Sequence, residues 1–427
     1  MWKSTEPGTF HESGATQGLP RFIPMPKKAL FISTMCLLDQ RSGAAMTVRA
    51  QLEALASAGW SCRSVTASLC DGGTEYPKEK LFGPEGSKTE HIGKNIVLEL
   101  AGVRHQILHT HSTVGANLTQ VEADTLSMML ADALRSDPMD LVLTYGSSNL
   151  SRGLQSMARK HASVMAFYLA NDSYTDRSLF QSMDAVICPS EFLSGFYRER
   201  LGLEPFVLRD TISKHFILES AHRDCADRQA VRRNGLVTYI NPSLSKGGML
   251  FVRLAHMALT HRPDITFLAL EGRMSRSEWQ RRMGVDPGSF ENVFWLDNQK
   301  DIRRVYKRTS VLLFPAFWQE ASGRSIAEAQ LSGIPVIASR RGGIPEQMNG
   351  GGICLPNPPG CEENHARLPS EEDVRPWFDK LCSLLDDPEK YDRACTRALE
   401  AAKPFHPETV RRETVRFYTE LVQKLDY

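Results

Sequence analysis

Glu320 and Glu328 stand eight positions apart in the stretch QEASGRSIAEAQLSG. An apolar run of strand length, VLLF, precedes them and is closed by Pro315. RSIAEAQLSG then reads as a helix, with Ile326, Ala327 and Leu331 apolar and Gly333 at its end. Glu320 falls in the loop, and Glu328 about two turns into the helix. The unpaired N–H groups of Ser322, Gly323 and Arg324 at the helix start favour an anion, phosphate above all. Two carboxylates flanking such a site fit a ligand that carries phosphate and hydroxyl groups together, as a sugar nucleotide does. A solvated helix glutamate beside a loop charge would show the same spacing.

Lys246 adds a cation of the matching kind. It precedes Gly247 and Gly248 in NPSLSKGG, between the strand-like LVTYI and the helical MLFVRLAHMAL. A lysine there can meet a diphosphate directly, with backbone N–H groups beside it; an exposed loop charge is the plain alternative. ITFLALEG is a further strand, and it brings Glu271 and Gly272 to the same end of the sheet. Asp297 and Asn298 follow the strand-like VFWL.

These groups need elements to hold them. VLLF, the helix and PVIAS form a strand–helix–strand unit of a parallel sheet. The same alternation fills the first half. ALFIST is a strand, the loop holding Ser42, Gly43 and Ala44 follows, and then comes the helix TVRAQLEALASAG. DLVLTYGSSN, SVMAFYLANDSY and AVICPSEF are strands with polar tips, each followed by a helix or turn. The fold class is α/β, with doubly wound parallel sheets. Loops at the carboxyl ends of such strands line the ligand cleft. That places Tyr145, Gly146, Ser147, Asn171, Asp172 and Ser190 in or near it. In the β-rich stretch NIVLELAGVRHQILHTHST, His105, His109 and His111 would share one strand face. Such a trio either binds zinc or forms an ordinary polar face. EPFVLRDTISKHF reads as the last strand of the first half.

The expected domains are a polar tail over residues 1–28, a first domain over 29–212 and a charged connection over 213–234. A second domain covers 235–406, and a closing helix over 407–427 returns to the first domain. With 427 residues, 41% hydrophobic and 24% charged, the chain is an ordinary globular protein of two or three domains. A net charge of +1 gives no footprint for nucleic acid. No apolar run approaches the ~20 residues that span a bilayer, which leaves only peripheral membrane contact open. Nine cysteines without a CxxC pair read as buried thiols of a reducing compartment, so the expected location is cytoplasmic.

Glu-x7-Glu, followed by EAQLSGIPVIAS and GGIPE, resembles the retaining GT-B glycosyltransferases of family 4. The resemblance is strongest over 235–356 and continues, more weakly, over 29–212. It implies two Rossmann-like domains facing each other across a cleft. It also implies sugar transfer from a nucleoside-diphosphate sugar to an acceptor hydroxyl with anomeric retention. The nucleotide sugar is then a co-substrate, with no metal or cofactor required. Lys246 and Glu320 would be catalytic. Gly43, Asn171, Asn241, Gly247, Gly272, Ser322, Gly323, Arg324 and Glu328 would join them in holding the donor. The chain departs from the family pattern twice: Asn241 replaces an arginine five positions before Lys246, and Asn171 replaces a histidine. These departures keep open a sugar-nucleotide binder without transfer, and a sugar-nucleotide epimerase is a further rival. No motif names the acceptor, the donor's base and sugar, or an oligomeric state.

Overall fold

The structure, a computed structural model, describes residues 26–135, 138–218, 224–286, 289–299 and 301–425. Most of the expected tail, 1–25, lies outside the described residues, as does 219–223 of the expected connection.

The first sheet contains β1 (Lys28–Ile32), β2 (Ser61–Ala67), β3 (Asn95–Leu100), β4 (Val103–Leu108), β5 (Met139–Thr144), β6 (Ala162–Tyr168), β7 (Ala185–Cys188) and β8 (Phe206–Val207). They lie in the order β3-β4-β2-β1-β5-β6-β7-β8. The second contains β9 (Leu236–Ile240), β10 (Phe267–Leu270), β11 (Val293–Leu296), β12 (Thr309–Phe314), β13 (Val336–Ser339) and β14 (Ile353–Leu355), in the order β11-β10-β9-β12-β13-β14. Both orders turn back at the first strand of their series, so each sheet has a switch point where loops diverge and leave a crevice.

Residue alternation explains why both faces are covered. Phe31, Leu141, Leu143 and Val164 join one cluster, while Leu30, Ile32, Val142 and Met165 join another on the opposite face. The second sheet divides likewise, with Tyr239, Phe267 and Leu313 on one side and Leu268, Leu270 and Leu312 on the other. A strand buried on both faces reads as a continuous apolar run, as ALFI and VLLF do.

Four sequence expectations need correction. First, β3 pairs antiparallel with β4, whereas the other pairs in both sheets are parallel. The two-residue link Ala101-Gly102 has φ of 49° and 80°, and a tight turn with both φ positive can only reverse the chain. Second, β4 ends at Leu108, so the three histidines do not share a strand face. His105 contacts the Ser64 hydroxyl at 2.8 Å, and His111 turns to Glu122 at 3.1 Å. Third, the last strand of the first half shrinks to Phe206–Val207. Fourth, the charged connection ends in a helix, Cys225–Asn234, whose start is capped by the Asp224 side chain. Arg228 of that helix pairs with Asp392 of the second domain at 2.9 Å.

The final helix, Pro407–Leu425, lies on the first domain. Its Tyr418, Leu421 and Val422 join the cluster that holds Phe31 and Val164. The Tyr418 hydroxyl donates to the Gln51 amide oxygen at 3.0 Å, with both residues fully buried. Tyr418→Phe leaves that oxygen without its donor, at a cost of about 1–3 kcal/mol. Thermal unfolding of the variant is expected to shift to lower temperature with an unchanged circular-dichroism spectrum.

Candidate active site

A cleft of about 390 Å³ runs between the two sheets' carboxyl ends. Gly43 and Asn171 line it from the first domain. Asn241, Lys246, Gly272, Glu320, Ser322, Gly323, Arg324 and Glu328 line it from the second. Gly247 does not line it; it supports Lys246 from behind. Its φ is +85°, and a Cβ there would stand 1.8 Å from the Pro315 carbonyl oxygen. The Ser245 carbonyl accepts from the N–H groups of Phe317 and Trp318 at 2.9 and 3.1 Å. These contacts tie the Lys246 loop to the loop that carries Glu320.

Lys246 and Glu320 form an ion pair. The ammonium also sits over the Trp318 ring, 4.8 Å from its centre. Burial pulls the lysine below its ordinary pKa, and the Glu320 carboxylate opposes that pull. Glu320 is only 7% exposed. Its backbone is clamped by the RRGG turn after β13: Gly343 N–H donates to the Glu320 carbonyl at 2.7 Å. Gly342 has a φ of +57°, and a Cβ on it would fall 2.5 Å from that same oxygen. The GG pair of the sequence motif therefore serves as the seat of Glu320.

The helix Arg324–Leu331 begins at Gly323 and aims its first N–H groups at the cleft. Arg324 itself turns across to the first domain. One guanidinium nitrogen donates to the Thr47 hydroxyl and to the Thr211 carbonyl, each at 3.0 Å, and the other stands 3.6 Å from Glu328. Its stem covers Gly43, where a Cβ would lie 3.5 Å from it. Glu328 accepts from the Tyr306 hydroxyl at 2.9 Å. Burial raises the Glu328 carboxyl above its ordinary pKa, while Arg324 and the Tyr306 hydroxyl lower it.

Asp210 is the residue the sequence reading missed. It lines the cleft, 7% exposed, and accepts from Thr47 at 2.9 Å, Tyr168 at 2.7 Å and Ser322 at 2.5 Å. It stands just beyond the end of a strand, where cleft residues belong, so following VLR one residue further would have found it. Asp71, Arg273, Tyr306 and Trp318 also line the cleft.

Other expected positions differ. Tyr145 packs into the core against Phe31, with ring centres 5.2 Å apart. Gly146, Ser147 and Asp172 do not line the cleft, and Asp297 yields to Asn298. Ser190 is a domain contact, donating to the Ala321 carbonyl. The Asn171 side-chain amide oxygen is taken by the Ser173 N–H and hydroxyl, at 3.1 and 2.6 Å, in a local turn. Asn241 accepts the Arg273 N–H at 2.9 Å. Among the described residues, no three His, Cys, Asp or Glu side chains gather as metal ligands, and no helix is long and apolar enough to cross a membrane.

Two sheets closing on such a cleft define the GT-B architecture. Sucrose-phosphate synthase from Thermosynechococcus elongatus superposes with a TM-score of 0.68 at 16% identity, over 93% of this chain and all of that one. Anabaena HepE in complex with UDP and glucose gives 0.64 at 14% identity, over 92% and 99%. Residues 239–387 match the family described as glycosyl transferases group 1, so the second domain carries the sequence likeness. The D-inositol 3-phosphate glycosyltransferase of Corynebacterium efficiens is 29% identical over 136 residues, which is 31% of this chain and 29% of that protein. The match thus spans under a third of that relative's length.

The raised pKa of Glu328 fixes the sign of a stability effect. An acid whose pKa rises on folding binds its proton more tightly in the folded state, so stability falls as pH rises through that pKa. Glu328→Gln removes this penalty and keeps an acceptor for Tyr306. The variant is expected to melt higher than the parent at neutral pH, with the difference narrowing as pH falls toward 4.5, the ordinary glutamate value.

Proposed function

We propose that this protein is a retaining glycosyltransferase of the family 4 type, acting on a nucleoside-diphosphate sugar and an acceptor hydroxyl. One observation carries the reading. Lys246, Glu320, a helix start and Glu328 converge on a single wall of the interdomain cleft. That set matches the parts of such a donor in order: diphosphate, sugar and ribose. The glycosyl transferases group 1 likeness of residues 239–387 supports it, as does the fold shared with a protein whose complex holds UDP and glucose.

The chemistry follows from leaving-group charge. As the bond from the anomeric carbon to the phosphate oxygen breaks, negative charge grows on the diphosphate. The Lys246 ammonium and the N–H groups at the helix start stabilise that charge where water is scarce. The acceptor oxygen attacks the same face, forms the new bond to the anomeric carbon and passes its proton to the departing phosphate oxygen. No protein nucleophile takes part. Glu320 holds a donor-sugar hydroxyl once the diphosphate has taken over Lys246, and Glu328 holds the ribose hydroxyls. Closure of the domains keeps water from the donor. The first-domain loops at Gly43 and Asn171 approach the donor from the opposite wall, and the acceptor enters on that side. The reaction needs neither metal nor cofactor, and we place it in the cytoplasm.

A thermal-shift panel of UDP-, GDP-, ADP- and dTDP-sugars tests donor binding. One nucleotide class is expected to stabilise the protein, by about 2.7 kcal/mol at a hundredfold excess over Kd. Lys246→Ala and Glu320→Ala are each expected to lower turnover by roughly 10²–10³. Unchanged turnover in both would refute the site assignment. Donor binding without transfer or hydrolysis would assign a binder, and an altered donor sugar in the absence of acceptor would assign an epimerase.

A further inference from the structure

Arg273 is the third residue of the loop after β10 and lines the cleft together with Lys246. Its proximity is electrostatic as well as geometric, since its charge adds to the depression of the lysine's pKa. The loop is held there by Asn241. This residue has a left-handed backbone, with φ of 58°, and its side-chain oxygen accepts the Arg273 N–H at 2.9 Å. The asparagine side chain also fills the space above Gly272, where a Cβ would lie 2.3 Å from its oxygen. Asn241 therefore grips the β10 loop, and the cation at this place in the cleft is Arg273.

The far end of Arg273 crosses to the first domain. Its Nη2 lies 2.6 Å from an Asp71 carboxylate oxygen, while its buried Nε makes no hydrogen bond among the described residues. Both side chains are more than one-third exposed, so the pair faces the open cleft. Asp71 is held in turn, through its N–H, by the Asp39 carboxylate at 2.8 Å. Two of the cations that line the cleft are thus matched with carboxylates, Lys246 with Glu320 and Arg273 with Asp71. A ligand that carries two phosphate charges between the two cations would displace both carboxylates.

We propose that Arg273 is a diphosphate-binding residue of the donor site, and that Asp71 of the first domain is the counter-ion it exchanges for the phosphate. The inference rests on the nucleoside-diphosphate reading above. Arg273 supplies a planar fork for phosphate oxygens alongside the point charge of Lys246. Asp71 neutralises the fork while the cleft is empty and competes with the incoming diphosphate. Asn241 is a positioning residue that acts through the loop.

The two members of an ion pair that only braces the domains would weaken binding alike when removed. A competing counter-ion behaves oppositely to its partner. Titration calorimetry on the full chain would compare the nucleoside diphosphate selected by the thermal-shift panel with its parent nucleoside. Arg273→Ala is expected to weaken the diphosphate at least tenfold and leave the nucleoside unchanged, with Arg273→Lys partly restoring affinity. Asp71→Asn is expected to tighten the diphosphate severalfold, again without effect on the nucleoside. Equal losses in Arg273→Ala and Asp71→Asn, or equal loss of both ligands, would overturn the proposal in favour of a domain brace. Parent protein that binds no nucleoside diphosphate would instead defeat the donor reading itself.

Discussion

A charge taken out of water must find another charge or several hydrogen bonds, and the whole cleft is arranged around that demand. The Lys246 ammonium is buried enough for its charged form to be disfavoured, and Glu320 answers it. Arg324 stands between the buried carboxylate of Glu328 and a polar group centred on Asp210. None of these side chains could hold its position alone. Their partners come from different loops and from both domains. The cleft wall and the domain interface therefore share side chains, Ser322 and Arg324 among them.

That shared construction bears on how the protein moves. Ser322 and Arg324 meet the first domain through Asp210, Thr47 and Thr211, just beneath the helix start that faces the cleft. Nearby, the Glu346 carboxylate accepts from the N–H groups of Glu191 and Phe192, at 2.9 and 3.1 Å. It thereby caps a first-domain helix with a second-domain charge. Opening the cleft would break these bonds together and wet the carboxylates they satisfy. Domain separation is consequently coupled to the electrostatics felt by a bound anion, because the same side chains carry both.

The motifs differ in how far they could be understood from the chain alone. Lys246, Glu320 and Glu328 were legible as cleft residues because their placement depends on local features: a strand end, a helix start and glycines at fixed offsets. The RRGG turn was legible as a turn, but its contact with the Glu320 backbone was not. Asn241 was read as the loss of a cation, whereas its oxygen grips the neighbouring loop. The three histidines were read onto one strand face because a strand was assumed to continue past Leu108. Asp210 could have been placed near the cleft by its position after a strand, but its significance comes from three hydroxyls donated by distant segments.

The sequence by itself determined the alternation of strands and helices, the burial of both sheet faces and the glycine-flanked cleft wall. These are short-range properties, set by side-chain periodicity and by which residues tolerate a given backbone turn. Tertiary structure alone decided which charges meet. Arg324 and Thr47 are 277 positions apart, and Ser322 and Asp210 are 112 apart. No local pattern encodes such pairs. They follow from how the two sheets pack against each other, and the closing helix returns to the first domain's core.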